Sequence, residues 1–270
     1  MWPFSLIKTY KNSGADKTMS KITRKMGYEF DMNLYYYYYL SEIKNWSTHI
    51  SNTRKFITDC ARRCCGRHSC VVLGSGCCID VPVLELSRMF ETVYLVDLVH
   101  PDKVVRKMSE FSNVKFITED ITKIVSETYN SIGRYKDFCV DVLISSPNYS
   151  SGRYSDILGN FDFVVSDNIL SFLSYPIVKY LSKLELIDDI SSRYLEEFIH
   201  RYHLQILPKG KSCIISPVSE KRYNQEGLEM YDKSIVYIPK ETVKDSQSWI
   251  WNFSDSVSDR LEYNVKAWEY

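Results

Sequence analysis

Gly74-Ser75-Gly76 and a single acid, Asp97, carry the clearest chemical signal in this chain. The glycines follow an apolar run, Cys70 to Leu73, and the acid ends a second run, Val93 to Val96. Only glycine lets a backbone turn sharply and approach a ligand with no Cβ in the way. A carboxylate about 20 residues further on, at the tip of the next strand, can accept hydrogen bonds from both hydroxyls of a ribose. Together these residues suit an adenosine-containing cofactor.

Other polar groups fall at comparable places. Asp120 and Ile121 follow a third apolar run, Asn113 to Thr118. There the acid can meet an adenine amino group while the isoleucine packs on the ring. Asp120 can equally cap the helix that begins at Ile121. Ser166, Asp167 and Asn168 end a fourth run, Phe161 to Val165. Ligands of open α/β sheets lie beyond the carboxyl ends of the strands, which puts these three within reach of substrate. Helix capping by Asp167 or Asn168 is the competing account. Tyr149 and Tyr175 are further candidates for substrate contact. His200 and His203 are one helical turn apart, but no cysteine or carboxylate completes a ligand set, and no metal is expected. His200 reads as a surface or hydrogen-bonding residue, and His203 as a catalytic candidate pointing at the site. The eight cysteines include no paired CxxC set and read as free thiols of a reducing cytoplasm.

Periodicity supplies the elements that must hold these residues. Strands are expected at 70–73, 93–96, 113–118, 140–144, 161–165 and 211–216, with helices at about 80–90, 102–111, 169–184 and 191–207. The last helix carries an apolar stripe of Tyr194, Leu195, Phe198, Ile199, Tyr202 and Ile206. Residues 217–245 form a polar excursion with one strand at 234–238, and 248–253 with 261–268 read as a terminal antiparallel pair. Upstream, 1–20 is loosely packed and 31–65 is helical, with Leu34, Tyr37, Leu40 and Ile43 on one stripe. The five tyrosines, Tyr35 to Tyr39, cannot all face one side: they pack on the core and line an opening, or they form a lid. Residues 1–66 are thus an N-terminal helical cap and 67–270 an α/β domain.

The totals narrow the partners. The chain has 270 residues, is 44% hydrophobic, and balances 34 basic against 34 acidic side chains. A net charge of zero offers no long-range pull on a nucleic acid. No apolar run reaches membrane-span length, and the first twelve residues lack a signal-peptide core and cleavage site. A cytoplasmic protein with a small-molecule substrate is expected, and a homodimer stays open.

The order of elements resembles the class I S-adenosylmethionine-dependent methyltransferase superfamily. Its domains have a Rossmann-like, mostly parallel seven-stranded sheet that ends in an antiparallel β-pair. Within it, VLGSGCCIDVPVLELSRMFETVYLVDLVHP, SDNILSFLSYP, HRYHLQIL and SWIWNFSDSVSDRLEYNVKAW resemble a poorly characterised methyltransferase-like group. The resemblance covers Arg67 to Tyr270. It implies that Leu73, Gly74, Ser75 and Gly76 line the methionine and ribose of the cofactor. Asp97, with Leu98, would hold the ribose hydroxyls, Asp120 and Ile121 would frame adenine, and Ser166 to Asn168 would face the methyl group.

Two departures from the family pattern stand out. Val72 occupies the place of an acid that usually holds the cofactor amino group, and Cys78 that of a third glycine. Asp80, in the first turn of the next helix, is expected to take over from the missing acid. Methyl transfer is an in-line displacement that asks mainly for positioning, and for a base only where the acceptor must lose a proton. The adenine-methylating motif with adjacent prolines is absent, SDNIL standing in its place, and so is a Pro-Cys nucleophile. Amino methylation of nucleobases is therefore disfavoured, and a small-molecule acceptor preferred. Val72 and Cys77-Cys78 keep open a catalytically inactive regulatory protein. An aminocarboxypropyl transferase using the same cofactor is the third reading.

Overall fold

β-Branched and aliphatic side chains crowd the runs that end at Leu73, Asp97, Thr118 and Asp167, and in the computed structural model each run is a strand of one sheet. The structure describes residues 14–132, 140–144, 151–243, 246–256 and 259–270. β1 (Ser69–Leu73), β2 (Thr92–Asp97), β3 (Val114–Thr118), β4 (Phe163–Asp167) and the first part of β5 (Ser212–Tyr223) are parallel. β6 (Glu229–Ser234), β7 (Gln247–Ser256) and β8 (Asp259–Glu269) complete the sheet. The order along it is β3-β2-β1-β4-β5-β8-β7, with β8 antiparallel to both neighbours. This is the mostly parallel Rossmann-like sheet with a terminal antiparallel pair. The expected strand at 234–238 lies upstream instead, as β6, which pairs antiparallel with the outer part of β5 and makes the strands eight among the described residues.

Strand side chains alternate between two cores. Cys70, Val72 and Leu95 join Trp46, Ile57 and Leu86 on one face. Val71, Leu73 and Val96 join Ile124, Ile177 and Leu195 on the other. A strand covered on both faces needs apolar residues at every position, which is why these runs show no polar alternation. α4 (Val83–Met89) and α5 (Asp102–Met108) cover the first face. α6 (Val125–Ser131), α9 (Tyr175–Lys183) and α10 (Asp189–Ile206) cover the second. The N-terminal helices straddle the sheet. Ile22 and Met26 of α1 (Gly14–Met26) enter the second core, and Trp46, Phe56 and Ile57 of α3 (Ile43–Arg63) enter the first. α2 (Tyr28–Ser41) bridges them.

Several local expectations are corrected. Residues 14–26 are helical rather than loose. Of the expected stripe, Leu34, Tyr37 and Leu40 of α2 and Ile43 at the start of α3 face outward, and Met32, Tyr35, Tyr36, Tyr38 and Tyr39 pack against the core. Apolar residues surround α2 on all sides, so its periodicity could not choose a face. Val140–Ile144 is a helix, α7, not a strand, with Val140 and Leu143 buried one turn apart. Five apolar residues satisfy either period, and packing beside α10 selects the helix. α8 (Ser151–Gly159) precedes β4. The segment after Asn168 forms a 3-10 turn, Leu170–Phe172, before α9 starts at Tyr175 with Pro176 in its first turn. Asp188 caps α10, its Oδ1 accepting the Ser191 N–H at 2.8 Å. Tyr194 is exposed rather than part of the buried stripe. Tyr149 and Cys139 lie outside the described residues. The seven described cysteines are free thiols. Among the described residues, no helix is long and apolar enough to cross a membrane.

Candidate functional site

The carboxyl ends of the parallel strands open into a cavity of about 950 Å3. Its floor is the turn after β1. Gly74 has φ +82° and Gly76 φ +42°, in the left-handed region. The Gly74 and Ser75 N–H groups donate to the Val96 carbonyl at 2.9 and 3.2 Å, tying the turn to β2. A Cβ on Gly74 would sit 2.5 Å from Ile169 Cβ and 3.1 Å from the Asp167 carbonyl oxygen. Gly74→Ala therefore combines a strained φ with displacement of the loop after β4. We expect a loss of about 2–3 kcal/mol, of which the left-handed backbone alone accounts for about 1–2. That is a fall in Tm of roughly 5–10 °C for a domain of this size. Differential scanning calorimetry checks it, and an unchanged Tm would show that the loop yields freely.

Asp97 stands beside this floor. Its Oδ2 accepts the Gly76 N–H at 2.9 Å and its Oδ1 the Leu98 N–H at 2.7 Å. Burial pushes its pKa up, against the pull of His100 and the backbone amides. Its Oδ2 keeps a lone pair free for a further donor, whereas Oδ1 also accepts the Val99 N–H at 3.4 Å, a long bond that a better donor can displace. Met32 of α2 covers the turn, with its Sδ 3.5 Å from Cys77 Sγ. Cys77 lines the cavity as a neutral thiol, its pKa pushed up to about 12 by burial. Cys78 is buried and does not line the cavity. It holds φ 51°, which explains why glycine suits that position.

Asp120 and Ile121 also line the cavity. Asp120 Oδ1 accepts the Thr122 N–H at 2.9 Å and hydroxyl at 2.6 Å, and its Oδ2 accepts the Val125 N–H at 2.9 Å. Residues 121–124 form a turn rather than the start of a helix; α6 begins at Val125, whose N–H Asp120 holds, and one lone pair on Oδ2 remains for a ligand.

A second group of polar residues meets at the end of β4. Asn168, at φ 51°, donates from Nδ2 to Asp80 Oδ2 at 2.7 Å, and the same nitrogen is 3.4 Å from Asp167 Oδ1. Asp80 lies in the loop before α4 rather than in the helix, which begins at Val83. His49 of α3 completes the group, its Nε2 3.2 Å from Asn168 Nδ2 and 3.5 Å from Asp80 Oδ2. The sequence reading missed His49. Its signal was the helical spacing of Trp46, His49, Thr53 and Phe56, all of them buried. Trp249 Nε1–H donates to His49 Nδ1 at 3.1 Å, and the His49 ring stacks on Trp251 with centroids 3.8 Å apart. An indole can only donate, so Nδ1 is bare and the imidazole proton sits on Nε2, towards Asp80. Burial lowers the His49 pKa against the pull of Asp80. For Asp80, burial acts upward, but hydrogen bonding to His49 and the His49 charge outweigh it and hold the carboxyl below its ordinary range. Burial and the neighbouring Asp80 raise Asp167 well above that range.

Leu73, Ser166 and His203 do not line the cavity. Ser166 Oγ and His203 Nε2 pair at 2.8 Å in the core under the second face. Burial pushes His203 down to about 3, with a smaller push from His200, so it is a neutral structural partner rather than a catalytic group. His200 is buried too, not at the surface, and its Nδ1 accepts the Tyr237 N–H at 3.2 Å. Tyr175 lines the cavity and is half exposed.

Charge divides the cavity. Asp80, Asp97, Asp120 and Asp167 line the wall at the strand ends, with Asp31 of α2 paired to Lys179 and Glu119 to Lys123, and among the described residues no lysine, arginine or histidine lines that part of the wall. The cations lining it, Arg193, Arg222 and Lys233, come from α10 and the β5–β6 hairpin, beside Glu196 and Glu220. Lys233 pairs with Glu220 at 3.0 Å. The inner end suits a cation, and the outer end a polar aromatic molecule among tyrosines.

No protein-family model matches the chain, and no curated protein matches its sequence. Among solved structures it is similar to an O-methyltransferase family protein from Burkholderia thailandensis, at 10% identity and TM-score 0.37 over 83% of this chain. The chain spans 56% of that protein. A putative methyltransferase from Thermobifida fusca YX aligns over 99% of this chain and 93% of its own, at 12% identity and TM-score 0.36. A 1,6-didemethyltoxoflavin N1-methyltransferase from Burkholderia thailandensis, solved with its substrate and S-adenosylhomocysteine, aligns over 88% of this chain and 89% of its own, at 11% identity and TM-score 0.34. The fold assignment rests on the order and direction of the strands, not on these likenesses.

Proposed function

We propose that the protein is an S-adenosylmethionine-dependent methyltransferase acting on a small-molecule acceptor. The observation that carries this reading is Asp97 held against the glycine turn, with its oxygens turned to a cavity whose inner end is lined by acids. S-Adenosylmethionine carries a sulfonium and an ammonium group, and the acidic inner end complements that charge. Bound there, it supplies an electrophilic methyl group. Asp97 would hold the ribose hydroxyls through the spare lone pair of Oδ2 and by displacing the long Val99 contact at Oδ1. Ile121 would pack on adenine, and Asp80 would receive the ammonium group in place of the acid missing at Val72. α2, with Met32, Tyr35 and Tyr38 on the cavity wall, would exclude water from the reacting groups. Tyr175 and the β5–β6 hairpin would orient the acceptor, and no base is required if the acceptor attacks through a lone pair.

Isothermal titration with S-adenosylmethionine and S-adenosylhomocysteine tests this. Binding of both is expected, and binding of neither would overturn the reading. Incubation with small-molecule extract and methyl-labelled cofactor should then move the label to a product. Transfer of label from the aminocarboxypropyl chain instead would make the protein the other kind of transferase.

A further inference from the structure

We propose that Asp80 and Asp167 share one proton in the free protein, and that the pair gives it up to solvent when the cofactor's ammonium group docks against them. This rests on the cofactor reading above and adds to it a proton-coupled mode of binding. The two carboxyls are brought together by one atom, since Asn168 Nδ2 lies 2.7 Å from Asp80 Oδ2 and 3.4 Å from Asp167 Oδ1. Both acids are over nine-tenths buried and both line the cavity. Among the described residues, Asp167 Oδ2 has no hydrogen-bond donor. Two like charges so close in a poorly solvated site do not both ionise, and one proton stays between them. The upward shift of Asp167 and the downward shift of Asp80 agree with that sharing. A cation arriving at the pair removes the reason for keeping the proton, because it supplies the missing positive charge.

The surroundings isolate this titration. From α3, His49 faces Asp80 with a pKa lowered by burial, and Arg54 is a fixed cation that pulls Asp167 down. From the turn after β1, Cys77 and Cys78 are thiols that burial keeps protonated. Cys213 of β5 and Tyr35 of α2 are likewise pushed up by burial. Asp97 and Asp120, both raised by burial, are the other cavity acids able to change charge when a ligand binds.

The sign follows from linkage. If binding releases a proton, affinity rises with pH, by up to about tenfold per pH unit while the pair still holds the proton, and levels off above it. Titration calorimetry of S-adenosylhomocysteine into the intact protein across about pH 5 to 8, in buffers of differing ionisation heat, reads the maximum number of protons released per ligand. Release of about half a proton or more in the wild type, falling to near zero in Asp167→Asn, is the expected result. Release below that, or release undiminished in the variant and so attributable to Asp97 or Asp120, overturns the proposal. Should Asp167→Asn fail to fold, infrared difference spectra of the wild type decide. The carbonyl band of a buried neutral carboxylic acid should vanish on adding ligand, and its persistence overturns the proposal. A failure of the ligand to bind at any pH counts against the cofactor reading, whereas binding without proton release counts against this one alone.

Discussion

Asp97→Ala should weaken binding of S-adenosylmethionine and S-adenosylhomocysteine by roughly 100- to 1,000-fold. A hydrogen bond to a charged group contributes about 1.5–3 kcal/mol, and the carboxylate would accept two from the ribose. Discounting for solvent that fills the gap, about 3–4 kcal/mol is lost, which is two to three decades in Kd. The variant also removes the acceptor of the Gly76 and Leu98 N–H groups, so the turn itself loosens. Asp97→Asn separates the two effects. It keeps one acceptor oxygen and the shape while losing the charge, and its affinity should fall between wild type and alanine. Titration calorimetry reads both. An alanine variant that binds within about threefold of wild type would remove the central support for an adenosine site.

Trp251→Ala should cost about 3–5 kcal/mol of stability, the range for deleting a large aromatic from a core. The ring is fully buried at the junction of α3 and the terminal β-pair. It stacks on His49 at 3.8 Å, meets Trp46 edge-on at 4.8 Å, and lies 5.2 Å from Phe253 and 5.6 Å from Tyr263. So many rings cannot all move in to fill the void, because Trp46 is itself anchored by its Nε1–H to the Phe253 carbonyl at 2.8 Å. The expected drop in Tm is roughly 10 °C or more. Trp251→Phe, which keeps a stacking ring, should lose less than half as much. Calorimetric melting of the three proteins checks the series. A fall of under about 1 kcal/mol in the alanine variant would mean that the cluster collapses around the gap and does not hold His49 in place.

The strand-turn-strand unit from Ser69 to Asp97 was legible because its signals are local. Left-handed turn geometry needs glycine at 74 and 76, and a strand buried on both faces needs an unbroken apolar run. The terminal antiparallel pair was legible for a similar reason, since alternation along one strand shows in its own residues. Of the apolar stripe expected on α10, Leu195, Ile199, Tyr202 and Ile206 are buried, while His200, His203 and Leu204 are buried outside it. Where a segment was apolar all round, as in Tyr28–Ser41, or too short to show a period, as in Val140–Ile144, local pattern had no basis for a choice. Packing then decided which side of α2 turned inward and that α7 became a helix.

The site divides along the same line. By itself the sequence determined which backbone could approach a ligand and which acid would stand at the tip of the second strand, because both depend on neighbours in the chain. Only the tertiary structure decided that His49, Asp80 and Asn168 would meet, since the partners are 88 and 119 residues apart for the two Asn168 contacts. It also separated His203 from the cavity and set it against Ser166, although both stood at plausible positions. A side chain's charge state follows from its burial and from what faces it, and those are properties of the assembled sheet and its covering helices.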